Sequence, residues 1–284
     1  MVRRRLVVIL LLVVGLVAAC GSDSDPGPSG LTYVALGDSY ASGPGLGSMD
    51  QETPGCLRSA RNYPHLVADE LTSYTLVDVS CGGETSGQIR NGRTLGDGTV
   101  VEPQLDAVTD DTGLVTLGIG ANDASAYLGL FSYCLLPATA NDASCEQYLA
   151  TYAAPTFTAT RDRIVALVEE IRERAPRATI VLVGYLRLVP DSGSCAVMPL
   201  SDVRRAAALK IESLMRTAQK DAAKTAGIDF VDARSLSAGH DACAGSEAWV
   251  NGVDNVPGDG TLLHPKAEGM RRVADEVLAT VEKD

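Results

Sequence analysis

Apolar residues along the chain fall into two kinds of segment that alternate. Short runs rich in apolar residues occur at 32–36, 75–79, 114–118, 179–183 and 228–231, the length and composition of strands in a sheet covered by helices. Between them the apolar positions take a helical period. Ile164, Leu167, Val168 and Ile171 share one face, Ile211, Leu214, Met215 and Ala218 another, and a last helix from about Lys266 carries Met270, Val273, Ala274, Val277 and Val281. Strand then helix, repeated, predicts an α/β fold with a five-stranded parallel sheet between two helix layers, a three-layer α/β/α sandwich. In such sheets binding sites lie beyond the carboxyl ends of the strands. Residues 84–104 and 124–150 show neither period and read as irregular, and long insertions of this kind shape binding faces. No internal repeat is present.

The first twenty residues break the pattern. Arg3, Arg4 and Arg5 precede an apolar run at 6–16 that is too short to span a bilayer, and small residues then lead into Cys20. This resembles the lipobox of bacterial lipoproteins. It implies a signal peptide at 1–19, acylation of the new terminal Cys20, and attachment to the outer face of a membrane by two or three acyl chains. The Pro/Gly-rich stretch to residue 30 is then a flexible tether, and 31–284 one domain, expected to be monomeric.

Charge changes when the leader is set aside. The whole chain carries 24 Lys and Arg against 36 Asp and Glu, a formal −12; without the three leader arginines it is 21 against 36, or −15. Such a surface repels phosphate backbones and argues against nucleic-acid binding. Six cysteines follow Cys20, namely Cys56, Cys81, Cys134, Cys145, Cys195 and Cys243. An even set outside the cytoplasm reads as three disulfides, with 15 connectivities open. Nearest-neighbour pairing, Cys56 with Cys81, Cys134 with Cys145 and Cys195 with Cys243, closes the smallest loops. No two cysteines stand at metal-ligand spacing, and neither a metal nor an organic cofactor is expected.

Candidate chemistry gathers after the strands. The first run ends in Gly37-Asp38-Ser39, Cys81-Gly82-Gly83-Glu84-Thr85 follows the second, Gly120-Ala121-Asn122-Asp123 the third, and Asp259 to His264-Pro265 precedes the last helix. Singly each reads as a turn, with Asp38 and Asp123 as turn caps. The glycines at 43–47 do not make a dinucleotide loop, and there is no P-loop. Of the three histidines, His65 opens a helix, His240 sits in a loop between Gly239 and Asp241, and His264 taken alone reads as a residue preceding a helix with Pro265 at its first position.

Together and in this order, the four blocks resemble the SGNH hydrolases, also called the GDSL esterase and lipase family, over nearly all of 31–284. Residues 56–59 and 62–64 are similar to secreted bacterial esterases of that family. The resemblance implies a flavodoxin-like sheet, Ser39 as nucleophile, His264 as base, and an oxyanion hole of the Ser39 N–H, the Gly83 N–H and the Asn122 side chain. Each role has a physical reason. A serine hydroxyl needs an imidazole to take its proton, a glycine lets the backbone approach the reacting atom, and a neutral amide donates to a developing oxyanion.

One position departs from the family. Members commonly carry Asp three residues before the histidine; here it is Thr261. Something must still hold His264 Nδ1–H so that Nε2 faces the serine. The candidates are the Thr261 backbone carbonyl, which is preferred, and the Asp259 carboxylate, two positions out of place. The reading is therefore a serine esterase or lipase acting on acyl esters through a Ser-His dyad or triad. The alternatives are an inactive or weakly active surface lipoprotein that binds a ligand, and a polysaccharide O-deacetylase. With 5% aromatic residues and a single Trp249, a sugar-stacking platform is disfavoured.

Overall fold

A computed structural model describes residues 31–51 and 53–283; the expected leader at 1–19, Cys20 and the tether to residue 30 lie outside the described residues. Its strands in chain order are β1 (Leu31–Gly37), β2 (Tyr74–Asp78), β3 (Arg93–Thr94), β4 (Val100–Val101), β5 (Thr112–Gly118), β6 (Thr179–Val183) and β7 (Asp229–Val231). Val34 and Leu36 point to one side of β1, Tyr33 and Ala35 to the other, and all four are fully buried. A strand buried on both faces belongs inside a sheet. It pairs in parallel with β2 and β5, and the sheet runs β2-β1-β5-β6-β7, parallel throughout.

The helices are α1 (Ser39–Ser42), α2 (Tyr63–Glu70), α3 (Ser86–Asn91), α4 (Ala126–Leu130), α5 (Asp142–Tyr148), α6 (Ala154–Arg174), α7 (Asp202–Ala226), α8 (Ala233–Leu236) and α9 (Ala267–Val281). On one face Ile89 of α3 and Ile164, Leu167 and Ile171 of α6 pack on Val34, Leu36, Leu117 and Leu182, with the last turns of α7 beside them. On the other, Val67 of α2 and Met270, Val273 and Val277 of α9 cover Tyr33, Ala35, Val181 and Val183. This is the three-layer sandwich. Among the described residues no helix is long and apolar enough to cross a membrane.

The two stretches read as irregular contain short elements. Residues 84–104 hold α3, whose start is a capping box between Thr85 and Gln88, and the antiparallel pair β3 with β4. Residues 124–150 hold α4 and α5, each continued by a wider helical turn, at 131–135 and 149–153. Pieces this short fall below the window in which a hydrophobic period can be counted.

Cys56 pairs with Cys81, Cys134 with Cys145 and Cys195 with Cys243, across 25, 11 and 48 residues. By the chain-entropy argument each closure is worth about 3–4 kcal/mol. The chain moves from β1 to β2 on one side and later to β5 on the other, so the crevice between the carboxyl ends of β1 and β5 is a topological switch point. Backbones approach closely there. A Cβ on Gly37 would lie 2.6 Å from the Ala41 Cβ and 2.7 Å from the Gly118 carbonyl oxygen, so only glycine lets α1 fold back over the strand end.

Candidate active site

Ser39 is the first residue of α1, immediately beyond β1. Asp38 caps this turn: its Oδ1 accepts the Tyr40 N–H at 2.9 Å, and its own N–H donates to the Gly118 carbonyl at 3.0 Å. The Tyr185 hydroxyl donates to Asp38 Oδ2 at 2.6 Å and accepts the Ala121 N–H at 2.9 Å. One phenol thus joins the serine turn to the loop after β5. Burial pushes the Asp38 carboxyl up to about 7, opposed by the bonds from Tyr185 and the Tyr40 N–H.

His264 arrives from the loop before α9. Its Nε2 lies 2.9 Å from Ser39 Oγ, and its Nδ1 lies 2.8 Å from the carbonyl oxygen of Leu262. A carbonyl can only accept, so Nδ1 carries the proton and Nε2 offers its lone pair to the serine hydroxyl. Burial lowers the imidazole pKa below 6.5, partly opposed by the Leu262 bond, and keeps the ring neutral near pH 7.

The acceptor on Nδ1 corrects both sequence candidates. The Thr261 carbonyl is turned to Asn251, accepting Nδ2–H at 3.2 Å, and to the His264 backbone N–H at 3.3 Å. Asp259 accepts the first N–H of α9 from Ala267 at 2.8 Å and faces Lys266 Nζ at 3.6 Å. The reason is the tight turn through Leu263, whose φ of 57° is left-handed. It aims the Leu262 carbonyl at His264 Nδ1. Leu263 is fully buried, and its carbonyl accepts the Tyr40 hydroxyl at 2.8 Å. Asn251 holds the other side, with Nδ2 donating also to the Asp259 carbonyl at 2.8 Å and its N–H donating to the His264 carbonyl at 2.9 Å.

Across the cleft, residues 82–84 are held at the carbonyls of Gly82 and Glu84. Arg93 Nη2 donates to the Gly82 carbonyl at 2.5 Å, while Asn122 Nδ2 donates to that of Glu84 at 2.9 Å. The Gly82 N–H goes to the Cys56 carbonyl at 2.8 Å, beside the Cys56–Cys81 disulfide. Gly83, at φ 83°, lies between these anchors, and among the described residues nothing accepts its N–H. The fully buried Glu84 carboxylate sits 2.7 Å from Arg93 Nε. Asp123 accepts the Ser86 N–H and hydroxyl, each at 2.8 Å, tying α3 to the loop after β5. Asp123 does not cap its own turn, which corrects the sequence reading: that turn carries no side-chain cap bond, and the carboxylate reaches α3 across 37 residues instead.

Ser39, His264, Gly83 and Asn122 therefore meet at one cleft of about 390 Å³, with Thr261 at its rim. Pro44, Leu57, Tyr127, Leu128 and Phe131 make its walls apolar. His65 and His240 are elsewhere, His65 bonded to Asn62 Oδ1 at 2.8 Å and His240 stacked on Trp249 at 4.1 Å. Tyr40, Tyr185, Arg93 and Leu262 are parts of the site that sequence reading missed. Only Tyr40, next to the serine, had a positional signal. No group of three or more metal-ligating side chains occurs among the described residues.

A parallel sheet that presents a serine at the end of β1, backbone and amide donors after β2 and β5, and a histidine from the last loop defines an SGNH-type hydrolase. Residues 35–272 match the GDSL-like lipase/acylhydrolase family; the chain belongs to that family and is a carboxylic ester hydrolase. It is 33% identical over 270 residues to Lipase 2 of Streptomyces coelicolor, covering 89% of this chain and 87% of that one. A lipase of Streptomyces rimosus is 32% identical over 267 residues, 93% of this chain and 91% of its own. Among solved structures, phospholipase A1 from Streptomyces albidoflavus is similar with a TM-score of 0.74 at 27% identity, covering 89% of this chain and 99% of that one. The extracellular lipase from S. rimosus has a TM-score of 0.70 at 28% identity, with the same two coverages, 89% and 99%.

Proposed function

We propose that the protein cleaves acyl esters through an acyl-enzyme on Ser39, with His264 as its only proton carrier. Ser39 Oγ bonds to the ester carbonyl carbon as its proton passes to His264 Nε2. The carbonyl electron pair moves onto oxygen, which the N–H groups of Ser39 and Gly83 and the Asn122 amide hold. The pair then returns, the bond to the alcohol oxygen breaks, and that oxygen takes the proton from His264. Water repeats the sequence, its proton going to His264 and on to Ser39 Oγ, and the acid leaves. The observation that carries this reading is the 2.9 Å contact between Ser39 Oγ and His264 Nε2, with Nδ1 fixed on a carbonyl.

Hydrolysis of p-nitrophenyl esters from acetate to palmitate, by the wild type and Ser39→Ala, tests it together with fluorophosphonate labelling. Turnover and labelling both lost in Ser39→Ala are expected. Equal rates for the two proteins across the series would sink the acyl-enzyme.

The same proposal places residues 31–284 as one monomeric catalytic domain outside the cytoplasm, held at a membrane by acylated Cys20. The lipobox-like segment, the three disulfides and the extracellular S. rimosus relative support this placement. Radioactive palmitate should label the full chain but not Cys20→Ala; label retained in that variant would remove the anchor.

A further inference from the structure

Residues 124–150 and the turns after them build two helical walls. Ser125, Leu128 and Ser132 lie along one and Tyr148, Tyr152 and Thr156 along the other, with a groove of about 380 Å³ between them. The walls are fixed. A Cβ on Gly129 would collide with the Tyr148 ring, the Tyr148 hydroxyl donates to the Ala126 carbonyl at 2.7 Å, and the Cys134–Cys145 disulfide ties their far ends. Leu128, Tyr133 and Tyr152 nevertheless remain 61%, 46% and 57% exposed. One exposed apolar residue is ordinary; three around one groove mark a binding surface.

Leu128 lines both this groove and the cleft that holds Ser39 and His264, so the two spaces adjoin across a single side chain. The chemistry assigns which part of an ester goes where. The leaving oxygen must stand beside His264 to receive its proton, which puts the alcohol on the Thr261 and Pro44 side of the cleft. The acyl substituent then leads away from the leaving oxygen, along the wall that Leu128 shares with the groove. The tyrosines favour an alkyl chain over a sugar, because Tyr133, Tyr148 and Tyr152 pack on one another at 5.5 and 6.2 Å and spend ring faces there.

We propose that the groove between Leu128 and Tyr152 binds the acyl chain of the substrate, receiving an unbranched chain of medium to long length that passes over Leu128 from the carbonyl on Ser39. This rests on the acyl-enzyme reading above. Each methylene withdrawn from water is worth about fourfold in binding, so a few methylenes in the groove set a large preference for long chains.

The test uses Ser132→Trp, which fills the groove, and Tyr152→Ser, which strips its exposed wall. Thermal midpoints confirm that both fold. The ratio of kcat/KM for p-nitrophenyl decanoate to that for the acetate should fall tenfold or more in each. A ratio within twofold of wild type in both variants overturns the proposal. A second arm is independent of turnover: the fluorescent fatty acid cis-parinaric acid is titrated into Ser39→Ala with and without Ser132→Trp. Affinity reduced tenfold or more by the tryptophan supports the groove, and equal affinity overturns it. If no ester of any length is hydrolysed in a Ser39-dependent manner, the acyl-enzyme reading has failed, and the parinaric acid titration still decides the groove.

Discussion

The carbonyl oxygen of Leu262 stands 2.8 Å from His264 Nδ1, where a triad would have a carboxylate. A neutral acceptor sets the tautomer without adding charge that would raise the imidazole pKa. Burial already holds that pKa below 6.5. The proposed role of His264 as base requires a neutral ring, so kcat/KM should be lost as pH falls through the lowered pKa and be level above it. The acid limb of the pH profile is expected to have its midpoint below pH 6.5. A midpoint above that value would contradict the neutral acceptor.

Arg93 bridges the Glu84 carboxylate and the Gly82 carbonyl on either side of Gly83. Arg93→Ala leaves a fully buried carboxylate unpaired, which costs about 3–5 kcal/mol. Because the peptide it grips carries a proposed oxyanion donor, kcat should drop about tenfold or more with KM little changed, and Arg93→Lys should recover part of it. Chemical denaturation alongside steady-state kinetics reads both effects; unchanged kcat in Arg93→Ala would show that the grip does not matter to turnover.

Gly83→Ala tests the same peptide from within. Its new Cβ meets nothing nearer than Arg93 Nη1 at 3.6 Å, so space is available, but φ 83° strains an L residue by about 1–3 kcal/mol. Relief of that strain rotates the N–H. Loss of one donor corresponds to roughly 10²–10³ in kcat. Kinetics on a variant that melts within a few degrees of wild type would expose a passive role as full activity.

Glu212 ties stability to pH away from the cleft. It is buried, its Oε1 accepts the N–H groups of Leu188 and Val189, and Arg234 Nε is 3.4 Å from Oε2. Burial pushes its carboxyl from 4.5 up to about 7 against those partners. The folded state thus binds this proton more tightly than the unfolded chain, so stability should fall as pH rises from about 4.5 to about 7 and level off above, by on the order of 3 kcal/mol. Asp38, raised from 3.8 to about 7, adds a parallel slope. Glu212→Gln keeps the acceptor and should remove roughly half of the decline, measured as urea midpoints at pH 5 and pH 8. An unaltered slope in the variant would refute this.

The sheet was legible because its central strands, buried on both faces, leave runs rich in apolar residues, and its edge strands leave runs that each include one aspartate. The 75–79 run is β2 displaced by one residue, and the 228–231 run is β7 with one residue added before it. Ser39, Gly83, Asn122 and His264 were legible only together, because their four blocks in this order resemble the GDSL family, whereas singly each reads as a turn or a helix start. Leu262 was not, because a backbone carbonyl has no residue type to betray it and only the left-handed turn at Leu263 aims it. Tyr185 and Arg93 were hidden for another reason: they act across 147 residues onto Asp38 and from a two-residue strand onto Gly82. Their spacing carries no period.

Ser39 and His264 are 225 residues apart, and the Tyr40 hydroxyl reaches a carbonyl 223 residues downstream. The proposed nucleophile and base are thus brought together only by tertiary structure, through the Tyr40–Leu263 tie and the 251–264 loop that Asn251 holds. Partial unfolding that frees this loop would leave Ser39 an ordinary alcohol, so turnover would report closure of the domain.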